Sequence, residues 1–112
     1  MEQVYHNRIV KKSDEIEIGQ FNESNEYIIT HQRLGNRIVV NQKTLDILNL
    51  IDNKSTLATI VARFNEKATA TISVKTALAL LYGKLGKQGI IIDENQEVKK
   101  KPKNSYLYLS FT

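Results

Sequence analysis

The apolar residues of this chain change their repeat once between Glu15 and Asp93, and that change restricts the fold more than any other feature. Before it, apolar and β-branched residues recur at every second position, the period of a pleated strand. Glu15-Ile16-Glu17-Ile18 places two isoleucines on one face and two glutamates on the other. Asn22-Glu23-Ser24-Asn25 is turn chemistry, and Tyr27-Ile28-Ile29-Thr30-His31 is a second run of strand formers. Leu34-Gly35-Asn36 offers a residue for a positive φ, and Arg37-Ile38-Val39-Val40 follows as a third strand. The three form a meander, which leaves at least one edge unpaired.

From Asn41 the repeat is helical. Asn41 is a good N-cap, and Thr44, Ile47, Leu48 and Ile51 recur behind it at helical spacing. Asp52-Asn53-Lys54 ends this helix, with Asn53 able to take the left-handed conformation. Ser55 or Thr56 caps a second helix whose buried face is Leu57, Ile60, Val61 and Phe64. Residues 67–72 read as a loop. Ser73 caps a third helix with the stripe Val74, Ala77, Leu78, Leu81 and Leu85. Leu80 points away from that stripe, either exposed as an interface residue or covered by residues 4–10 or the tail. Gly86 and Gly89 bracket a turn into Ile90-Ile91-Ile92, expected to form a short wing strand.

The predicted class is therefore α+β. It is a winged helix-turn-helix, with an N-terminal three-stranded antiparallel β-meander, three helices and a wing. Residues 1–14 form an N-terminal segment in which only Val4, Tyr5, Ile9 and Val10 suit packing, and 15–93 form the domain. Residues 94–112 are a charged linker and an alternating apolar tail, Tyr106-Leu107-Tyr108-Leu109-Ser110-Phe111. That tail reads as the start of a truncated downstream domain or as a strand that pairs with another molecule.

Composition bounds the function. A chain of 112 residues holds one modest core. It has no cysteine, which excludes disulfides and thiolate metal sites and fits a reducing cytoplasm. No apolar run approaches the roughly 20 residues of a membrane span, and the N-terminus lacks the order of a signal peptide. The net charge of +4 is concentrated in Lys99-Lys100-Lys101-Pro102-Lys103, a run that reads as a solvated linker. His6 and His31 have no ligand partner at metal-site spacing, the serines sit at caps and turns, and no Gly-rich loop has a phosphate-binding context. No catalytic centre, metal or cofactor is expected.

Arg37 to Asp93 resembles the PqqD-like family, or RiPP recognition element. The matching residues are Val39-Val40-Asn41, then Thr44-x-x-Ile47-x-x-Leu50-Ile51-Asp52-Asn53 and Thr56-Leu57-x-x-Ile60. Leu78-x-x-Leu81-x-x-x-Leu85 and Gly89-Ile90-Ile91 complete the set. Two positions depart from the pattern: Asn53 stands for the turn Gly, and Thr59 stands for the Glu that completes a capping box with Thr56. The resemblance implies a module that binds the leader of a ribosomally synthesised precursor peptide. The leader adds as a strand beside the third strand and rests on the third helix. The residues that would carry this are Arg37, Ile38, Val39 and Val40 on the strand, with Lys75, Ala79, Tyr82, Gly83 and Gly86 on the helix. The implied partners are the precursor peptide and a peptide-modifying enzyme, separate or fused C-terminally.

Two rivals share this architecture, because fold alone does not give function. One is a DNA-binding winged-helix regulator. Its third helix would offer Lys75, Thr76, Lys84 and Lys87 to a groove but no arginine, and Asp93-Glu94 would repel phosphate. That weighs against nucleic acid. The other is a structural docking module, a homodimer included, that uses the open strand edge or the tail.

Overall fold

Asn41 is where the chain stops being a strand and starts being a helix, and its side chain makes the change. Its Oδ1 accepts the Thr44 N–H at 2.9 Å, which satisfies one donor of the first turn. The computed structural model describes residues 8–22, 25–67, 71–93 and 107–109, the side chain of Tyr108 excepted. Strands β1 (Ile16–Gln20), β2 (Glu26–His31) and β3 (Arg37–Asn41) form the expected antiparallel meander. Helices α1 (Gln42–Asn49), α2 (Leu57–Lys67) and α3, which begins at Val74–Leu78, follow in the expected order. The protein is α+β, with a three-stranded antiparallel sheet and three helices.

Register fixes which side of the sheet is inside. Ile18, Ile29 and Ile38 lie opposite one another, as do Tyr27 and Val40. Paired residues share a face, so this face carries Ile29, Ile38 and Val40 into the core. Gly35, at φ 78°, turns β2 into β3, and the His31 N–H donates to the Asn36 carbonyl at 2.8 Å. Across the sheet lie Ile47, Leu48, Leu57, Ile60, Val61 and Phe64 from α1 and α2, all buried as their spacing predicts. Thr56 caps α2 through the Thr59 N–H at 3.3 Å, and Ser73 caps α3 through the Thr76 N–H at 3.1 Å. Between them, the Asn65 side chain exchanges two hydrogen bonds with the backbone of Ile72, at 2.9 and 3.0 Å.

The third helix departs from the expected geometry. After Leu78 it widens into a π-helical stretch, Ala79–Leu85, in which the Gly86 N–H reaches the Leu81 carbonyl. A turn that closes on i→i+5 advances less than the 100° per residue of an α-helix. The buried face widens with it. Leu80, expected off the core stripe, is 3% exposed, and Tyr82 is 6% exposed. A 3₁₀ turn, Gly86–Gln88, completes the helix. Gly89, at φ 82°, ends it with the two bonds of a Schellman motif, Gly89 N–H to Gly86 O and Ile90 N–H to Leu85 O, each 3.1 Å.

Residues 90–92, expected as a wing strand, make a different connection. Ile91 forms one bridge with Lys12, flanked by Ser13 N–H to Ile90 O at 2.8 Å and Ile92 N–H to Lys11 O at 2.9 Å. The same N-terminal stretch also bonds to the entry of α2, Val10 N–H to Ser55 O and Leu57 N–H to Arg8 O, both 3.1 Å. Residues 8–13 thus strap the start of α2 to the exit of α3. Val10, fully buried, is the core residue of that strap.

A fourth strand completes the sheet. Leu107–Tyr108 (β4) runs parallel to β3, giving the order β1-β2-β3-β4. Val4, Tyr5 and Lys99–Lys103 lie outside the described residues. No helix among the described residues is long and apolar enough to cross a membrane.

Candidate functional site

The outer edge of β3 was the expected place for an added strand, and it is not open. Ile38 pairs with Leu107 and Val39 with Tyr108, and the Leu109 N–H donates to the Val39 carbonyl at 2.9 Å. The N–H and C=O of one strand residue point the same way, so the Val39 amide also faces β4, whereas those of Ile38 and Val40 face β2. Leu107–Leu109 therefore occupies the main-chain groups expected to receive a bound peptide. It does so within the same chain.

Burial agrees with this pairing. Val39 sits on the face of β3 opposite Ile38 and Val40, where an edge-strand valine would be half exposed, yet it is 1% exposed. It is flanked in register by Ile28 on β2 and Tyr108 on β4, so β4 makes β3 an interior strand. Leu109 lies on the side of the core. With Ile72, Val74 and Leu78 it belongs to the half-buried apolar residues that border the main cluster. Leu107, two residues earlier, is 44% exposed.

The nine residues singled out from sequence separate into three groups. Arg37 is half-buried and Ile38, Val39 and Val40 are buried on one strand, as required for a backbone site. Lys75 and Ala79 are exposed on α3 and Gly83 is half-buried. Among the described residues, a Cβ built on Gly83 would meet nothing within 4 Å, so close packing against residues 8–13 does not explain this glycine. Tyr82 and Gly86 do not join an exposed strip. The Arg8 guanidinium carbon stands 5.9 Å from the Tyr82 ring centroid, and Arg8 also pairs with Asp93 at 3.8 Å. Gly86 is enclosed by backbone, a Cβ there lying 3.4 Å from the Leu81 carbonyl oxygen and 3.8 Å from that of Ile91. Both work in the strap contact. The strip was drawn at 100° per residue, and the π-helical stretch invalidates that wheel.

A hollow of about 340 Å³ opens at the C-terminal end of β2, lined among others by Glu15, His31, Arg33, Ile91 and Asp93. It was not legible in the sequence, because its residues come from three separate segments. His31 is buried and its Nδ1 accepts the Leu34 N–H at 3.2 Å, which places the ring proton on Nε2, 3.6 Å from Glu15 Oε2. The same Glu15 oxygen accepts from Arg33 Nε at 2.8 Å. Ser13 Oγ accepts the Glu15 N–H at 3.0 Å. These bonds hold the ends of β1 and β2 together, and they present no nucleophile beside a base. No group of three or more potential metal-binding side chains occurs among the described residues.

Compared with family models, with curated proteins and with solved structures, the chain matches none.

Proposed function

We propose that this protein is a peptide-recognition module that binds an extended segment by strand addition at β3. The observation that supports this most directly is the parallel pairing of Leu107–Tyr108 with Ile38–Val39. It is strand addition carried out within one chain. Main-chain hydrogen bonds hold the segment, and the Leu109 side chain meets the border of the core, the combination by which such sites join affinity to selectivity. The meander and helices read as a winged helix in which residues 90–92 stand at the wing position. The resemblance to the PqqD-like pattern narrows the ligand to the leader of a ribosomally made precursor peptide, delivered in the cytoplasm to a modifying enzyme.

The test is an amide-shift titration of the ¹⁵N-labelled chain with a leader-length precursor peptide encoded beside its gene, and with a DNA duplex as the second ligand. Strand addition predicts shifts gathered at Arg37–Asn41 with the peptide and none with the duplex. Val39→Pro, which removes the outward amide, should abolish them. Shifts along Lys75–Gln88 with the duplex, and silence with the peptide, would instead make the protein a nucleic-acid binder.

A further inference from the structure

The segment that fills the β3 edge carries its own information about what else fits there. We propose that Leu107–Leu109 is a built-in surrogate ligand, which an incoming peptide of the same pattern must displace before it can bind. This rests on the strand-addition reading and adds to it a ligand pattern, a direction and a competitor.

Four observations carry the proposal. First, the pairing has a defined register: among the described residues, Ile38 lies beside Leu107 and Val39 beside Tyr108, in parallel. β4 stands at the edge of the sheet, paired on one side, and an edge strand exchanges more readily than the interior strands β2 and β3. Second, the segment is seated unevenly. Leu109 is half-buried at the border of the core and Leu107 is 44% exposed, so one of two alternating apolar side chains anchors the strand. Third, Val39 presents its outward carbonyl to Leu109 at 2.9 Å, the bond that any replacement strand must supply. Fourth, thirteen residues, 94–106, join Asp93 to Leu107, which makes the pairing intramolecular. A tether of that length sets an effective concentration on the order of millimolar.

The ligand class follows from the surrogate. It is an extended peptide with apolar side chains two residues apart, running parallel to β3, with its second apolar residue packed at the border of the core. A peptide that meets those requirements competes with a local strand, and its apparent affinity falls by the fraction of molecules whose edge is free. Freeing the edge should therefore tighten binding.

The experiment uses the full chain, as wild type and as Leu109→Pro, which removes the N–H that Val39 accepts. Leu109→Asp, which keeps that N–H and removes the apolar anchor, is the second variant if the first does not fold. The probe is a synthetic peptide with the sequence of residues 104–112, titrated while the amides of Arg37–Asn41 are followed. The variant should bind it at least tenfold more tightly than wild type, with shifts centred on Val39 and unchanged amides in α1 and α2. Equal affinity for both chains, with shifts at β3, would overturn the surrogate while leaving strand addition intact. No shift at β3 in either chain would overturn both.

Discussion

Asp52 and Asn53 show how much one turn between helices can carry. Asn53 takes φ 64°, the left-handed conformation that favours glycine, and its Oδ1 accepts the Lys12 N–H at 2.9 Å. Glycine could supply the turn but not that bond, so the asparagine both turns the chain and fastens the N-terminal strap. Beside it, Asp52 accepts the Lys54 and Ser55 N–H groups at 2.9 and 2.8 Å and the Ser55 hydroxyl at 3.1 Å. The Lys54 amide foremost, then the Ser55 bonds and the Arg63 charge, hold its carboxyl at about 2, below the ordinary 3.8. A depressed folded value means that the unfolded chain binds the extra proton first as pH falls. The contribution of Asp52 to stability is thus fully present above pH 3.8 and is lost as pH drops through about 2. The carboxyl carbon of Asp52 should titrate near the lower value in the folded protein, and Asp52→Asn should flatten the acid limb of the stability curve over that interval. A titration midpoint at the ordinary value would refute the account.

At the scale of the element, caps and stripes followed from sequence because their causes are local. Asn41, Thr56 and Ser73 each place one side-chain oxygen three residues ahead of an amide, and nothing distant is needed for that. The π-helical stretch was not legible in the same way. Ala79-Leu80-Leu81-Tyr82-Gly83-Lys84-Leu85 is compatible with an ordinary α-helix, and only the demand to bury Leu80 and Tyr82 together with Leu81 widens it. Gly83 contributes by weakening the local preference for a regular helix. Since a Cβ there meets no described atom within 4 Å, Gly83→Ala should raise stability by about 0.5–1 kcal/mol in chemical denaturation. A loss would mean that the wide turn needs the freedom of glycine.

At the scale of the molecule, the start of α2 and the exit of α3 are tied together by a strap that has no continuous strand or helix of its own. Residues 8–13 bond to Ser55 and Leu57 at one end and to Ile90 and Ile92 at the other, with Val10 in the core between. Val10→Ala should cost about 2 kcal/mol, two methyl groups plus the cavity they leave, measured by urea denaturation. An effect below about 0.5 kcal/mol would show the strap to be a surface ornament. The alternation of the meander, the positive-φ positions at Gly35, Asn53 and Gly89, and the buried faces of α1 and α2 were all present in the order of the residues. They depend on period and on backbone sterics, which act over a few residues. The partner of the β3 edge was not, nor was the burial of Leu80 and Tyr82, nor the bridge that replaced the wing strand. Each of those depends on which remote segment reaches a given surface first, and a hydrophobic repeat specifies that a face must be covered without specifying by what.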